Sequence, residues 1–290
     1  MDSEKYLFRI IAEIEKRNLE TFEEADAFIK EFNRKLATEG YPDTDDNKIR
    51  AQELVLDAFD LPDSEGMKLV KKAYKLDPEN PDIYNYFGLK EKKASKAIKY
   101  FQKALKLAEK RLGKEYLEEN KGAYGKMVQS RPYLRAKDGI ASSLMFMNKK
   151  DLAIEKYEEL WELDKTDRMN VVEILSKLYV EMKYFDKFEK MLEKINPEDN
   201  TVVCYNNFLY HYLKYGDSKK TREALKLAIS VNKHVVDFLL GEKELTDESF
   251  PYTIVGSEEE AQYYLTTYID LWVQLPGAYQ LLIDFIQDEL

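Results

Sequence analysis

Cys204 and His211 stand seven positions apart, and with His234 they are the only thiol and imidazoles in 290 residues. A thiol beside an imidazole is a nucleophile and its base, and that pair needs a separation of about 3 Å. Seven positions along one helix advance about 10 Å. The two side chains therefore cannot meet within the helix expected there, and both are expected to be packing residues. His234 falls where a helix is expected to end, and an imidazolium there could hydrogen-bond the last carbonyls. A single cysteine excludes an internal disulfide and a cysteine-based zinc site.

Asp43, Asp45 and Asn47 imitate the first three ligands of a calcium loop. The sixth position is Lys48 and the twelfth is Leu54. The turn glycine and the bidentate carboxylate are thus both missing, and a turn with a helix cap is expected instead. Phosphate chemistry has no support either. No glycines are spaced Gly-x-Gly, and Gly122 and Gly125 are too close for a Walker loop. No His-Glu-x-x-His or Gly-x-Ser-x-Gly occurs. No metal and no cofactor are expected, and a non-catalytic protein is favoured.

Lysine carries the clearest spacing. Lys92, Lys96, Lys99, Lys103, Lys106 and Lys110 step by four and three residues in alternation. Such steps place them on one face of a helix, opposite Ala97, Phe101, Ala104 and Ala108. This basic stripe is either a solvated outer face or a contact for an acidic surface. Nucleic acid is disfavoured, since the chain carries a net charge of −10 and the stripe has no interleaved aromatics.

The elements that must position these residues are helical. Only 11 Gly and 8 Pro interrupt the chain, charged residues make up 34%, and apolar residues make up 44%. That composition favours packed helices over strands or disorder. Residues 1–40 read as a helical pair. Leu7, Ile10, Ile11 and Ile14 form one stripe, and Phe22, Ala25, Phe28, Ile29 and Phe32 form another. Thr21 with Glu24 is a capping box at the start of the second helix.

Residues 41–240 read as about five helix–turn–helix units of the tetratricopeptide size. The paired helices fall near 49–59 with 66–76, 83–89 with 97–104, 133–147 with 151–163, 169–182 with 185–195, and 202–215 with 218–231. An irregular insertion spans 111–131. Residues 241–290 read as capping helices, with Tyr264, Ile269, Trp272, Leu282 and Ile286 on the apolar side. The expected fold is all-α, a right-handed solenoid of tetratricopeptide-like hairpins with flanking caps.

No stretch reaches the roughly 20 apolar residues that span a bilayer, and the first residues do not read as a signal peptide. A cytoplasmic protein is expected. Charge is uneven along the chain. Nine basic residues face two acidic ones between Lys90 and Arg111, whereas eleven acidic residues face Lys243 alone from Gly241 to Leu290.

The run Arg131-Pro132-Tyr133-Leu134-Arg135-Ala136-Lys137-Asp138-Gly139 resembles a segment of bacterial tetratricopeptide proteins similar to the suppressor-of-tumorigenicity family. Asn232-Lys233-His234 through Leu239-Leu240 is similar to that family's Asn-Pro-His-Val-Pro-x-Tyr-Leu-Leu segment. Lys233 and Val236 stand where the family has proline. Gly256 to Tyr264, and Trp272 with Pro276-Gly277-Ala278, resemble its carboxy-terminal end. The resemblance covers residues 131–283 and implies a helical-repeat fold without established catalytic residues or cofactor. Animal members carry amino-terminal membrane segments that have no counterpart here.

These readings together predict an adaptor that holds a protein or peptide on the concave face of the hairpins. Positions 2, 5, 9 and 12 of each first helix would line that face, which names Arg135, Asp138, Asn170, Lys177, Asn206 and Tyr210. The alternatives are a self-associating structural protein, a homo-oligomer pairing its basic middle with its acidic end, and an enzyme with a site near the 111–131 insertion.

Overall fold

The computed structural model describes residues 3–246 and 253–289. These residues are 77% helical with no strand. None of their helices is long and apolar enough to cross a membrane. The chain divides into two compact units, residues 1–169 and 170–290. The division falls inside the segment read as one array of hairpins.

Unit 1 opens with α1 (Ser3–Arg17) and α2 (Phe22–Glu39). Thr21 and Glu24 form the expected reciprocal capping box. The apolar stripes are less buried than expected. Ile10 and Phe32 are buried, but Leu7 is half-exposed and Phe22 lies in solvent. Phe22 is the first residue after the cap, where its side chain extends past the end of the helical face that packs.

Next come α3 (Asn47–Phe59) and α4 (Asp63–Leu76), then α5 (Pro81–Lys90) and α6 (Ala94–Leu112). Asp46 accepts from the backbone N–H of Lys48 and Ile49, so the acidic turn supplies a helix cap, as expected from its missing calcium ligands. Asn80 caps α5 in the same way, with Pro81 in the first turn, where its missing N–H costs nothing.

Small residues bring these helices close. A Cβ on Gly66 of α4 would lie 2.4 Å from the Tyr86 hydroxyl. The Phe101 ring of α6 fills the space beside Gly88 of α5 and Gly139 of α8 (Arg131–Phe146), where a Cβ would come within 2.7 Å and 2.3 Å of it.

The insertion starts two residues later than predicted, since α6 runs through Leu112 and Arg111 is held by an ion pair to Asp77. It contains the short α7 (Lys114–Glu119) and two 3₁₀ turns, Tyr124–Lys126 and Val128–Ser130. Its backbone is tied to the turn after α9 (Lys150–Leu163): Gly122 N–H donates to the Leu163 carbonyl, and Lys165 N–H donates to that of Gly122.

Unit 2 holds α10 (Val171–Glu181), α11 (Phe185–Leu192), α12 (Thr201–Tyr215), α13 (Lys219–Val231), α14 (His234–Leu239), α15 (Glu258–Gln274) and α16 (Pro276–Glu289). His234 opens α14 instead of closing α13. Asn232 ends α13, and its Oδ1 accepts from His234 N–H. The His234 ring faces Asp237 of its own helix, 3.1 Å away, so it never reaches the last carbonyls of α13.

Asn232 ties two of the resembling segments to each other and to α12. Its Nδ2 donates to the Ser257 carbonyl at 2.8 Å and to Glu260, while its carbonyl accepts from the Tyr205 hydroxyl at 2.7 Å. Glu260 also accepts from the Thr201 hydroxyl at 2.5 Å and from Gly256 N–H at 2.8 Å. Trp272 Nε1 donates to the Tyr264 hydroxyl. The buried face of α15 runs through Ala261, Tyr264, Leu265, Tyr268, Leu271 and Trp272. Ile269 was expected on that face but is 37% exposed, because it lies one step beyond Tyr268 and turns outward.

Candidate functional site

Cys204 and His211 do not form a site. Cys204 is fully buried on α12, and burial pushes its thiol up to about 12. His211 stacks on Tyr215 and packs edge-on to Tyr210, and burial lowers its affinity for a proton. No group of three or more potential ligands among the described residues is placed to hold a metal ion.

The positions expected to line a groove have separate fates. In unit 2, Asn206 is buried and donates to the Ser176 hydroxyl. Tyr210 is buried on the Phe188 ring, with its hydroxyl on Glu189. Lys177 pairs with Asp270 at 2.9 Å. Asn170 is exposed, in a left-handed conformation just before α10. None of these four is an open donor facing a shared hollow.

In unit 1, Arg135 and Asp138 lie on α8 beside a cavity of about 530 Å³ between α5, α6 and α8. Its apolar wall is formed by Phe59, Ala94, Ala97 and Phe101, and polar side chains line the rest. Leu89 and Phe146 stand at its edge, 61% and 87% exposed.

Arg135 belongs to a buried polar network beneath that cavity. Its Nε donates to Asp82 Oδ1 at 2.9 Å, its Nη2 to Oδ2 at 2.5 Å, and its Nη1 pairs with Glu4 at 2.9 Å. Gln52 Nε2 donates to Asp82 at 2.7 Å, and Asn85 Nδ2 donates to it at 2.8 Å. Asp82 is wholly buried, which opposes its charge. The Arg135 guanidinium, with Asn85 and Gln52, more than offsets that penalty and holds the carboxyl below its ordinary range. Burial likewise opposes charge on Arg135, but Asp82 and Glu4 raise its pKa above the usual value. Arg135 therefore serves the protein's interior and is not a free donor.

Asp138 sits one helical turn further on. No donor among the described residues hydrogen-bonds to it, and no cation among them pairs with it. The residue is partly buried, and that burial, with nothing opposing it, pushes its carboxyl up to about 6. The hydroxyls of Ser142, which also lines the cavity, and Tyr157 bond to each other at 3.0 Å. Asn85 also lines the cavity. Its Nδ2 is engaged twice, by Asp82 and by the Pro132 carbonyl, and its buried Oδ1 has no donor. Sequence reasoning named Asp138 but missed Asn85 and Asp82. Only the Asn80 cap preceding them was a local signal.

The basic stripe is largely solvated. Lys96, Lys99 and Lys106 are exposed on α6 and make no ion pair among the described residues. Lys110 pairs with Glu79, and Lys103 lies over the Tyr84 ring at 4.1 Å. Lys92 is not on the helix. It precedes α6, which starts at Ala94 after the extended Glu91 and Lys93, and it borders the cavity instead. In the insertion, Tyr124 donates to the Leu117 carbonyl and Ser130 to that of Tyr124. Asp164 on the adjoining turn binds Thr166 and the Arg168 N–H.

No family model and no curated protein matches the chain.

Proposed function

We propose that this protein is a non-catalytic adaptor, built as a solenoid of tetratricopeptide-like hairpins, that holds a segment of a partner protein. Cytoplasmic action goes with this reading, as does its likeness to bacterial relatives of the suppressor-of-tumorigenicity family. The observation that carries it is the α5–α6–α8 cavity. A hollow of about 530 Å³ with one apolar wall suits one or two large side chains. Leu89 and Phe146 extend the apolar surface outward, where water gains nothing from them. Paired helices with small residues at their crossings support the hairpin architecture.

The test is to select binding peptides on the full-length protein and to measure their affinity for Leu89→Asp and Phe146→Asp. Both side chains are exposed, so each variant is expected to melt within a degree or two of the parent. Affinity is expected to fall at least about tenfold, which corresponds to ~1.4 kcal/mol. Peptides that bind both variants as well as the parent would remove the cavity from the function.

A further inference from the structure

Taking the adaptor reading as its basis, we infer that the α5–α6–α8 cavity takes a cationic, hydrogen-bond-donating group, an arginine or lysine side chain flanked by a large apolar residue of a peptide, with Asp138 as its counter-ion.

The charge inventory around the cavity points one way. Arg135 is neutralised by Asp82 and Glu4. Glu91 accepts from the Lys93 backbone N–H. The Ser142 hydroxyl is engaged with Tyr157, and that of Ser143 donates to the Gly139 carbonyl. Asp138, which lines the cavity, is left as an acceptor without a donor or cation among the described residues. Lys92, the cation at the mouth, makes no ion pair among the described residues and does not neutralise it. The Asn85 Oδ1 is a second unpaired acceptor, but it is closed off from solvent, so Asp138 is the acceptor that a ligand in the cavity can reach. The orientation of Asn85 is fixed because both bonds of its Nδ2 are to oxygens.

A ligand that satisfies the site must therefore donate. A carboxylate or phosphate would meet Asp138 with like charge, and Arg135 is already occupied by two carboxylates. The apolar wall sets the rest of the ligand. Phe59, Phe101, Leu89 and Phe146 would cover an aliphatic or aromatic neighbour and the methylene stem of an arginine or lysine. A hydrogen bond to a charged group is stronger than a neutral one, and stronger still away from water.

The experiment uses three acetylated, amidated helical peptides, identical except at one position between leucines: arginine, citrulline or glutamate. Their affinities are measured at pH 7.5 for the full-length protein, Asp138→Asn and Phe146→Asp. The arginine peptide is expected to bind the parent at least about tenfold tighter than citrulline. Asp138→Asn should reduce that preference to about twofold and leave the citrulline affinity unchanged, which a merely structural Asp138 would not do. Equal binding of arginine and citrulline, a preference that survives Asp138→Asn, or tightest binding of glutamate overturns the inference. If both neutral and cationic peptides bind alike and Phe146→Asp weakens both, the adaptor reading stands without it. If no peptide binds, or Phe146→Asp changes nothing, both fall.

Discussion

Asp138 and Asp82 are the same residue type in neighbouring places with opposite proton affinities. Asp82 is held charged by Arg135. Asp138 has only burial acting on it and is pushed up to about 6, with Arg135 already engaged, Glu91 and Lys92 at the cavity mouth, and the Tyr157 and Ser142 hydroxyls bonded together. An unfolded aspartate titrates near 3.9. Between about 4 and 6 the folded protein therefore binds more protons than the unfolded chain, and stability falls as pH rises through that window. Above about 6 the cost of the uncompensated charge is fully present. Asp138→Asn is expected to melt higher than the parent at pH 7.5 and at the same temperature at pH 4. A gap that does not change with pH would show that burial does not raise the proton affinity of Asp138. Such a cost to stability is common where a residue serves a ligand. Asp138 was legible in the sequence as a groove position on a helix of known phase. Its isolation was not, because the Asp82–Arg135 pair that leaves it alone closes across 53 residues.

Helices were the most legible elements, since a 3.6-residue apolar period and a cap are both local. Asn80 before Pro81, Ser218 before α13 and Ser257 before α15 all cap as their residue types suggest. Errors cluster at the ends of elements and at the edges of their buried faces. Phe22, Lys92, His234 and Ile269 each sit at or one step beyond the face or the helix assigned to them, where a one-residue slip reverses burial. What joins the elements is less visible still. Gly88 and Gly139 look like ordinary helix-weakening residues until the Phe101 ring is placed between them. Gly139→Ala would set a methyl 2.3 Å from that ring. Overpacking of this kind costs about 1–3 kcal/mol, so the variant is expected to melt several degrees lower although alanine is the better helix former. Adding Phe101→Leu should recover part of the loss, as coupled neighbours do in a double-mutant cycle. An unaltered melting temperature for Gly139→Ala would show that the three helices do not approach this closely.

Charge and connectivity act on the whole molecule in different ways. The acidic carboxy-terminal stretch is less available than its composition suggests. Glu260 is buried, Glu258 pairs with Lys243, Asp270 with Lys177 and Asp288 with Arg222. Asp247, Glu248 and the Glu289 side chain lie outside the described residues. Several of these acids thus hold unit 2 together, which turns attention from self-association to the integrity of that unit. Glu173 shows the dependence. It is buried and its proton affinity is raised by burial, against hydrogen bonds from Asn200, Tyr263 and Tyr268. Deleting residues 257–290 removes two of those three donors. It also takes the Glu260 acceptor from Thr201 and Asn232, and strips the Tyr264 and Trp272 rings from Tyr205 and Phe208. A buried carboxylate without donors and a bared aromatic face are each strongly destabilising. Unit 1 has its own core, including Ala51, Val55, Val70, Ile83 and Tyr86, with none of these contacts. The truncated chain is therefore expected to lose the helix of unit 2 and keep that of unit 1. Circular dichroism should show a partial loss of ellipticity, and limited proteolysis should leave a fragment ending near Met169. A truncated chain that melts like the parent would mean that α15 and α16 are dispensable. Complete loss of helix would mean that unit 1 cannot fold without unit 2.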